Sequence, residues 1–201
     1  GFFVGHVLLD NHYQYALVGL FMPLVFLIFP AHHKAPRDRV PWYDWVLVAI
    51  SLATAAYFVS MTDVIATRMS LFMPLTTVQT VAALAIVLLA LEITRRTVGV
   101  FLMLIVVAFT AYNLFGDLIS GPLGHGVITL NHFLDVNVFT GDGLFGVPVR
   151  VAATYVFLFV MFGTFLERAG GGEFFFRVAA AIAGRSHGGP AKIAVISSAL
   201  F

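Results

Sequence analysis

Long apolar runs separated by short polar gaps dominate this chain, and almost every Lys and Arg falls in a gap. A helix needs about 20 mostly apolar residues to cross the hydrocarbon core of a bilayer. Runs of about that length occupy residues 15–31, 42–61, 71–91, 97–116 and 148–166. They predict an all-α, polytopic transmembrane helical protein with about five full spans, plus interfacial and partial helices. Residues 1–9 are too short to span and read as the end of an upstream helix, followed by a polar gap at 10–14. Trp42, Tyr43 and Trp45 open the second span as interfacial anchors, and 62–70 reads as a polar turn. The pattern changes at 117–149, which is Gly-rich and has no long apolar run. Within it, 127–139 predicts a short helix lying on the membrane surface. Pro148 opens the fifth span at a favoured helix-start position. Residues 167–172 form a charged, Gly-rich break. The following segment, 174–183, is too short to cross and reads as interfacial, and 184–190 breaks it before a last apolar run begins at 191.

Charge sets the orientation. The gaps at 32–41, 92–96 and 167–192 hold nine of the 11 Lys and Arg residues, whereas 62–70 and 117–150 hold only Arg68 and Arg150. Acidic residues divide evenly, which leaves the inference intact because orientation follows Lys and Arg in short loops. The basic gaps are expected to face the cytoplasm, with Arg37, Arg39, Arg95 and Arg96 as topology anchors. The first span then enters from outside. With an apolar run at the C-terminus and no initiating Met, the sequence reads as an N-terminal fragment of a longer membrane protein.

Composition supports this picture and removes alternatives. Charged residues make up 10% of the chain and hydrophobic ones 60%, with a mean hydropathy of +0.98. Soluble domains carry about 25% charged residues. A net charge of +1 with no basic face gives no support for nucleic-acid binding. The absence of Cys excludes disulfides, thiolate catalysis and Cys-ligated metal centres. No catalytic constellation is present, and an enzyme is not expected.

Seven His residues (His6, His12, His32, His33, His125, His132 and His187) raise the alternative of a membrane-bound haem or redox subunit. Bis-His haem ligation needs imidazoles at matching depth on facing helices, whereas these fall at span ends or in loops. The bland reading, interfacial His, is preferred, and no metal or resident cofactor is expected. No span carries a charge in its middle, which argues against a proton relay. It leaves room for sodium held by carbonyls and hydroxyls. Thr76, Thr77, Gln79 and Thr80 place polar groups on the third span, where interhelical hydrogen bonding is the ordinary role. Glu92, Arg95 and Arg96 have the spacing of helical side-chain pairs and read as an exposed cytoplasmic anchor. Gly170–Gly172 and Gly188–Gly189 lack a phosphate-loop Lys-Ser/Thr pair and read as bends.

Four segments in order, RDRVPWYDW (37–45), LEITRRTVG (91–99), GLFGVPVRVAATYVFLFVMFGTFLERAGGGEFF (143–175) and GRSHGGPAKIAVISSALF (184–201), carry a family resemblance. Together they resemble the fused permease of tripartite ATP-independent periplasmic (TRAP) transporters, in which small and large membrane subunits form one chain. The most similar type is the one associated with TAXI-class binding proteins. The resemblance implies a small-subunit-like four-helix scaffold at 15–116, preceded at 1–14 by the upstream helix end and an external gap. It also implies an external loop at 117–149 and the start of the large transporting domain at 150–201. It further implies a multi-pass protein of the bacterial inner membrane that imports an organic acid, a carboxylate, with sodium as coupling ion. A periplasmic substrate-binding protein would deliver the substrate. Ser197 and Ser198 approach the position at which this family's Gly/Ser-rich re-entrant hairpin contributes to substrate and ion binding. A non-transporting membrane scaffold is the other reading, since it fits 15–116 taken alone.

Overall fold

The computed structural model describes residues 2–31, 40–70, 72–183 and 189–200, and all side chains among them except those of residues 2–11, 183, 190, 197 and 200. The expected anchors Arg37 and Arg39 lie outside the described residues, as do His32, His33 and His187. The chain divides into two compact units, Gly1–Ala153 and Thr154–Phe201. Among the described residues the regular structure is helical, as the apolar periodicity predicts.

In the first unit, α1 (Phe2–Ile28) packs most extensively on α2 (Trp42–Ser60). Short α3 (Thr62–Thr67) follows, then α4 (Thr77–Thr97), α5 (Val100–Phe115), a 3₁₀ turn at Gly116–Leu118, α6 (Leu130–Phe139) and α7 (Val147–Val151). Helical backbone continues through a π-helical turn at Ala152–Val156 into α8 (Phe157–Arg168). The second unit also holds α9 (Gly171–Ala183) and α10 (Gly189–Leu200), which pack on each other. Among the described residues, four stretches are long and apolar enough to cross a membrane: Trp42–Ser60, Thr77–Thr97, Val100–Leu118 and Val147–Arg168. The described apolar part of α1, His12–Ile28, is shorter.

The helix ends explain where the sequence boundaries shift. The polar gap expected at 10–14 is helical and lies inside α1, because polarity without a Pro or Gly does not stop a helix. Residues 62–67, read as a turn, form α3. The third span starts at Thr77 rather than 71. Pro74 precedes it, and Thr76 and Gln79 close a capping box. The Thr76 hydroxyl accepts from the Gln79 N–H at 3.3 Å, and the Gln79 carboxamide accepts from the Thr76 N–H at 2.9 Å. At its other end α4 runs on through Glu92, Arg95 and Arg96. The chain then reverses over Val98–Gly99, where Gly99 takes φ +120°, a backbone region that a Cβ disfavours.

The short helix expected within 127–139 forms as α6, and it buries Leu134, Asp135, Val138 and Phe139. Leu134, Val138 and Phe139 join Tyr15, Phe58, Ile65, Leu75, Ala83, Ile86 and Phe145 in one apolar core. The alternation of Leu134, Val138 and Phe139 along one helical face allows this packing. Phe58 is its centre, with ring centroids 5.4–5.7 Å from Tyr15, Phe139 and Phe145. A second core of Phe26, Val48 and Leu89 joins α1, α2 and α4.

Polar groups within the spans turn back on their own helix. Ser51 Oγ donates to the Val48 carbonyl at 2.8 Å, and Thr54 Oγ1 to Ile50 at 2.8 Å. A bilayer offers no water partners, so such internal satisfaction is required there. By contrast α5 buries none of its residues and exposes Phe101, Phe109 and Phe115. This is the character of a helix facing lipid or further protein.

Candidate functional site

Three polar clusters and two cavities stand out in the first unit. The first cluster is built at the C-terminal end of α4. Arg95 grips Glu92 through two nitrogens, Nε and Nη2, each at 2.7 Å. Arg96 Nε also reaches Glu92 at 2.7 Å, while its Nη2 donates to Asp44 on α2 at 2.7 Å and its Nη1 to the Phe29 carbonyl at 3.0 Å. The Arg96 guanidinium lies 5.1 Å from the centroid of the Phe26 ring. Side chains of Arg96 and Asp44 are 1% and 2% exposed. The expectation of an exposed anchor therefore fails for Arg96. Its charge is enclosed and joins α1, α2 and α4, and only the Glu92–Arg95 edge remains partly open.

The second cluster sits around the α6 core. Arg68 forms an ion pair with Asp135 and donates to the Met73 carbonyl, both groups almost fully enclosed. Its guanidinium stands 5.6 Å from the centre of the Phe139 ring. Close by in the same unit, Gln14 is buried. With its amide oriented to suit its neighbours, it donates to the Phe145 carbonyl at 2.8 Å and accepts from Arg150 Nε at 3.1 Å. Of the two Arg residues of the expected outer side, Arg68 is thus tied to α6 and Arg150 to α1. Neither pairing is visible in local spacing, since Arg68 and Asp135 are 67 residues apart.

The third cluster closes the segment after α5. His125 places Nδ1 2.8 Å from the Gly126 carbonyl and Nε2 3.1 Å from the Tyr112 carbonyl. The Tyr112 hydroxyl donates to the Leu123 carbonyl at 2.6 Å, and its ring meets the imidazole edge-on at 5.3 Å. These contacts push the His125 pKa up, led by the Gly126 carbonyl, then Tyr112, with a smaller attraction from Asp117.

One cavity, of about 220 Å³, lies between α4, α5 and α6. Val87, Leu91 and Val106 line it with Thr94, Thr110 and Asn137. Thr94 Oγ1 and Asn137 Nδ2 already donate to their own helices, to Ala90 and Phe133. The other cavity, about 210 Å³, is bounded by Tyr15, Arg68, Ser70, Phe139, Thr140 and Phe145.

The structure accounts for most sequence-derived candidates. Thr76 and Gln79 serve as a helix cap, and Thr80 Oγ1 donates back to Thr76 at 3.1 Å. Ser197 and Ser198 lie on α10 in the second unit, with Ser198 exposed. Among the described residues no group of three His, Cys, Asp or Glu side chains gathers at metal-binding distance. In the second unit Gly170 adopts φ +87° just before α9, and Glu173 and Arg177 pair at 2.5 Å on its exposed face.

Comparison with known proteins adds one match. Residues 85–201 match the family described as tripartite ATP-independent periplasmic transporter, DctM component. The match begins within α4 and so takes in part of the region, 15–116, that the resemblance implies to be a scaffold. No curated protein and no solved structure gives a match.

Proposed function

The chain belongs to the DctM component family of tripartite ATP-independent periplasmic transporters, and on that premise we propose that it is part of a sodium-coupled permease importing organic acids. The observation that carries the proposal is the family match over residues 85–201, joined to four helices of membrane-spanning length and composition. The family is one of membrane transport components, and membership implies a periplasmic binding protein as partner.

The finer assignments belong to the proposal. The permease is of the fused type and sits in the bacterial inner membrane. Its basic gaps are cytoplasmic, and its partner is a TAXI-class protein docking on the outer side near 117–149. Residues 15–116 act as scaffold, and 150–201 open the transporting domain. Sodium coupling suits a chain whose spans hold no charge in their middle, because helix ends and hydroxyls can hold Na⁺ and a carboxylate without fixed charges. Ser197 and Ser198 on α10 are the proposed contributors to that site. The enclosed Arg96–Asp44 and Arg68–Asp135 pairs tie helices of the first unit together, which suits a scaffold beside moving elements. Solute uptake into proteoliposomes with and without a sodium gradient tests the reading.

A further inference from the structure

We propose that His125 is a proton-operated clasp which holds the α5–α6 connection tightest against the end of α5 when the imidazole is doubly protonated and loosens it when the proton leaves. The geometry carries this. Both ring nitrogens face carbonyl oxygens, Nδ1 at Gly126 and Nε2 at Tyr112. A carbonyl oxygen can only accept, so both nitrogens must donate, and only the imidazolium has two N–H groups. A neutral ring would turn a lone pair towards one of the two oxygens and lose that contact.

The position favours the cation further. Tyr112 lies in the last turn of α5, whose terminal carbonyls form the negative end of the helix dipole and lack partners in the helix. Asp117, in the turn that follows, adds an attractive charge. Tyr112 is the other titratable group facing the ring, and its hydroxyl is engaged with Leu123. The clasp closes several strands of the same loop at once. The His125 N–H reaches the Gly116 carbonyl at 3.4 Å, and Gly124 N–H reaches Gly121 at 3.0 Å. Gly116 makes the approach possible, since a Cβ there would stand 2.1 Å from His125 Nε2.

The sign follows from linkage. Folding raises the His125 pKa above its unfolded value of about 6.5. The clasp is therefore at full strength below that pH and weakens as pH rises through the raised folded value. On the orientation proposed above the loop faces outward, so the clasp responds to external acidity.

Hydrogen–deuterium exchange of peptides covering 116–126, in the lipid-reconstituted protein and corrected for intrinsic rates, tests this between about pH 5.5 and about pH 8.5. Protection is expected to fall severalfold across that range. In His125→Gln it should be low and flat, because one neutral amide cannot donate to both carbonyls under proton control. Gly116→Ala, which displaces the ring, should behave likewise, while Tyr112→Phe should keep the pH slope. An NMR titration of the His125 ring should show its pKa above the ordinary value. Wild-type protection independent of pH, a His125→Gln variant with an unchanged slope, or a ring titrating at or below the ordinary value would each overturn the clasp.

Discussion

Arg96 on α4 holds Asp44 on α2 across 2.7 Å with both side chains almost wholly enclosed, so the pair binds two helices together. The same guanidinium reaches Glu92 and the Phe29 carbonyl, which brings α1 into the joint.

Removing one partner of this pair strands the other. Asp44→Asn or Arg96→Ala should each destabilise the fold by about 3–5 kcal/mol, the cost of leaving a buried charge uncompensated. The double variant should lose less than the sum of the two, because the orphaned charge is gone. Thermal unfolding in detergent, arranged as a double-mutant cycle, reads the coupling.

Glu92→Gln is expected to fall between a surface pair and a buried one. Exposed pairs contribute about 0–1 kcal/mol, whereas hydrogen bonds to charged groups contribute about 1.5–3 kcal/mol. Glu92 serves both Arg95 and Arg96, so a loss near the lower end of the second range is expected. The same unfolding series measures it. A neutral effect would mean that Asp44 alone balances Arg96.

Phe58→Ala should be among the most costly apolar truncations in the first unit. Phe58 has no exposed surface and contacts the rings of Tyr15, Phe139 and Phe145. Emptying such a site costs about 3–5 kcal/mol. Because Phe139 belongs to α6, the variant should also increase proteolysis between α5 and α7, which limited digestion would detect.

Orientation can be read without removing native cysteines, since the chain has none. Asp142→Cys should react with an impermeant thiol reagent applied to intact cells, and Thr97→Cys should react only after permeabilisation. The opposite pattern would reverse the proposed docking side.

Much of the helical layout was legible because membrane spans announce themselves by length and apolarity, and Glu92, Arg95 and Arg96 announce their pairing by spacing. The limits lie in polar residues whose partners are remote. Asp10–Gln14 reads as a gap when judged by polarity, yet the segment contains no helix breaker and Gln14 meets Phe145 and Arg150 from within α1. The partner of Asp135, Arg68, lies 67 residues away and leaves no mark in local spacing. Asp44 and Arg96, 52 residues apart, are hidden for the same reason. The capping box at Thr76 was legible in principle from its Thr-x-x-Gln spacing, which competes with the view of those residues as span polarity. Ser197 and Ser198 were reachable only through family resemblance, because two adjacent hydroxyls on a helix have no chemical signature of their own.

Transport itself tests the central claim most directly. The permease carrying this sequence, reconstituted in proteoliposomes with its periplasmic binding protein, should accumulate a labelled organic acid when sodium is high outside. Uptake should collapse when the sodium gradient is dissipated or the binding protein is left out. Accumulation that ignores the sodium gradient, or that proceeds equally without the binding protein, would contradict the account.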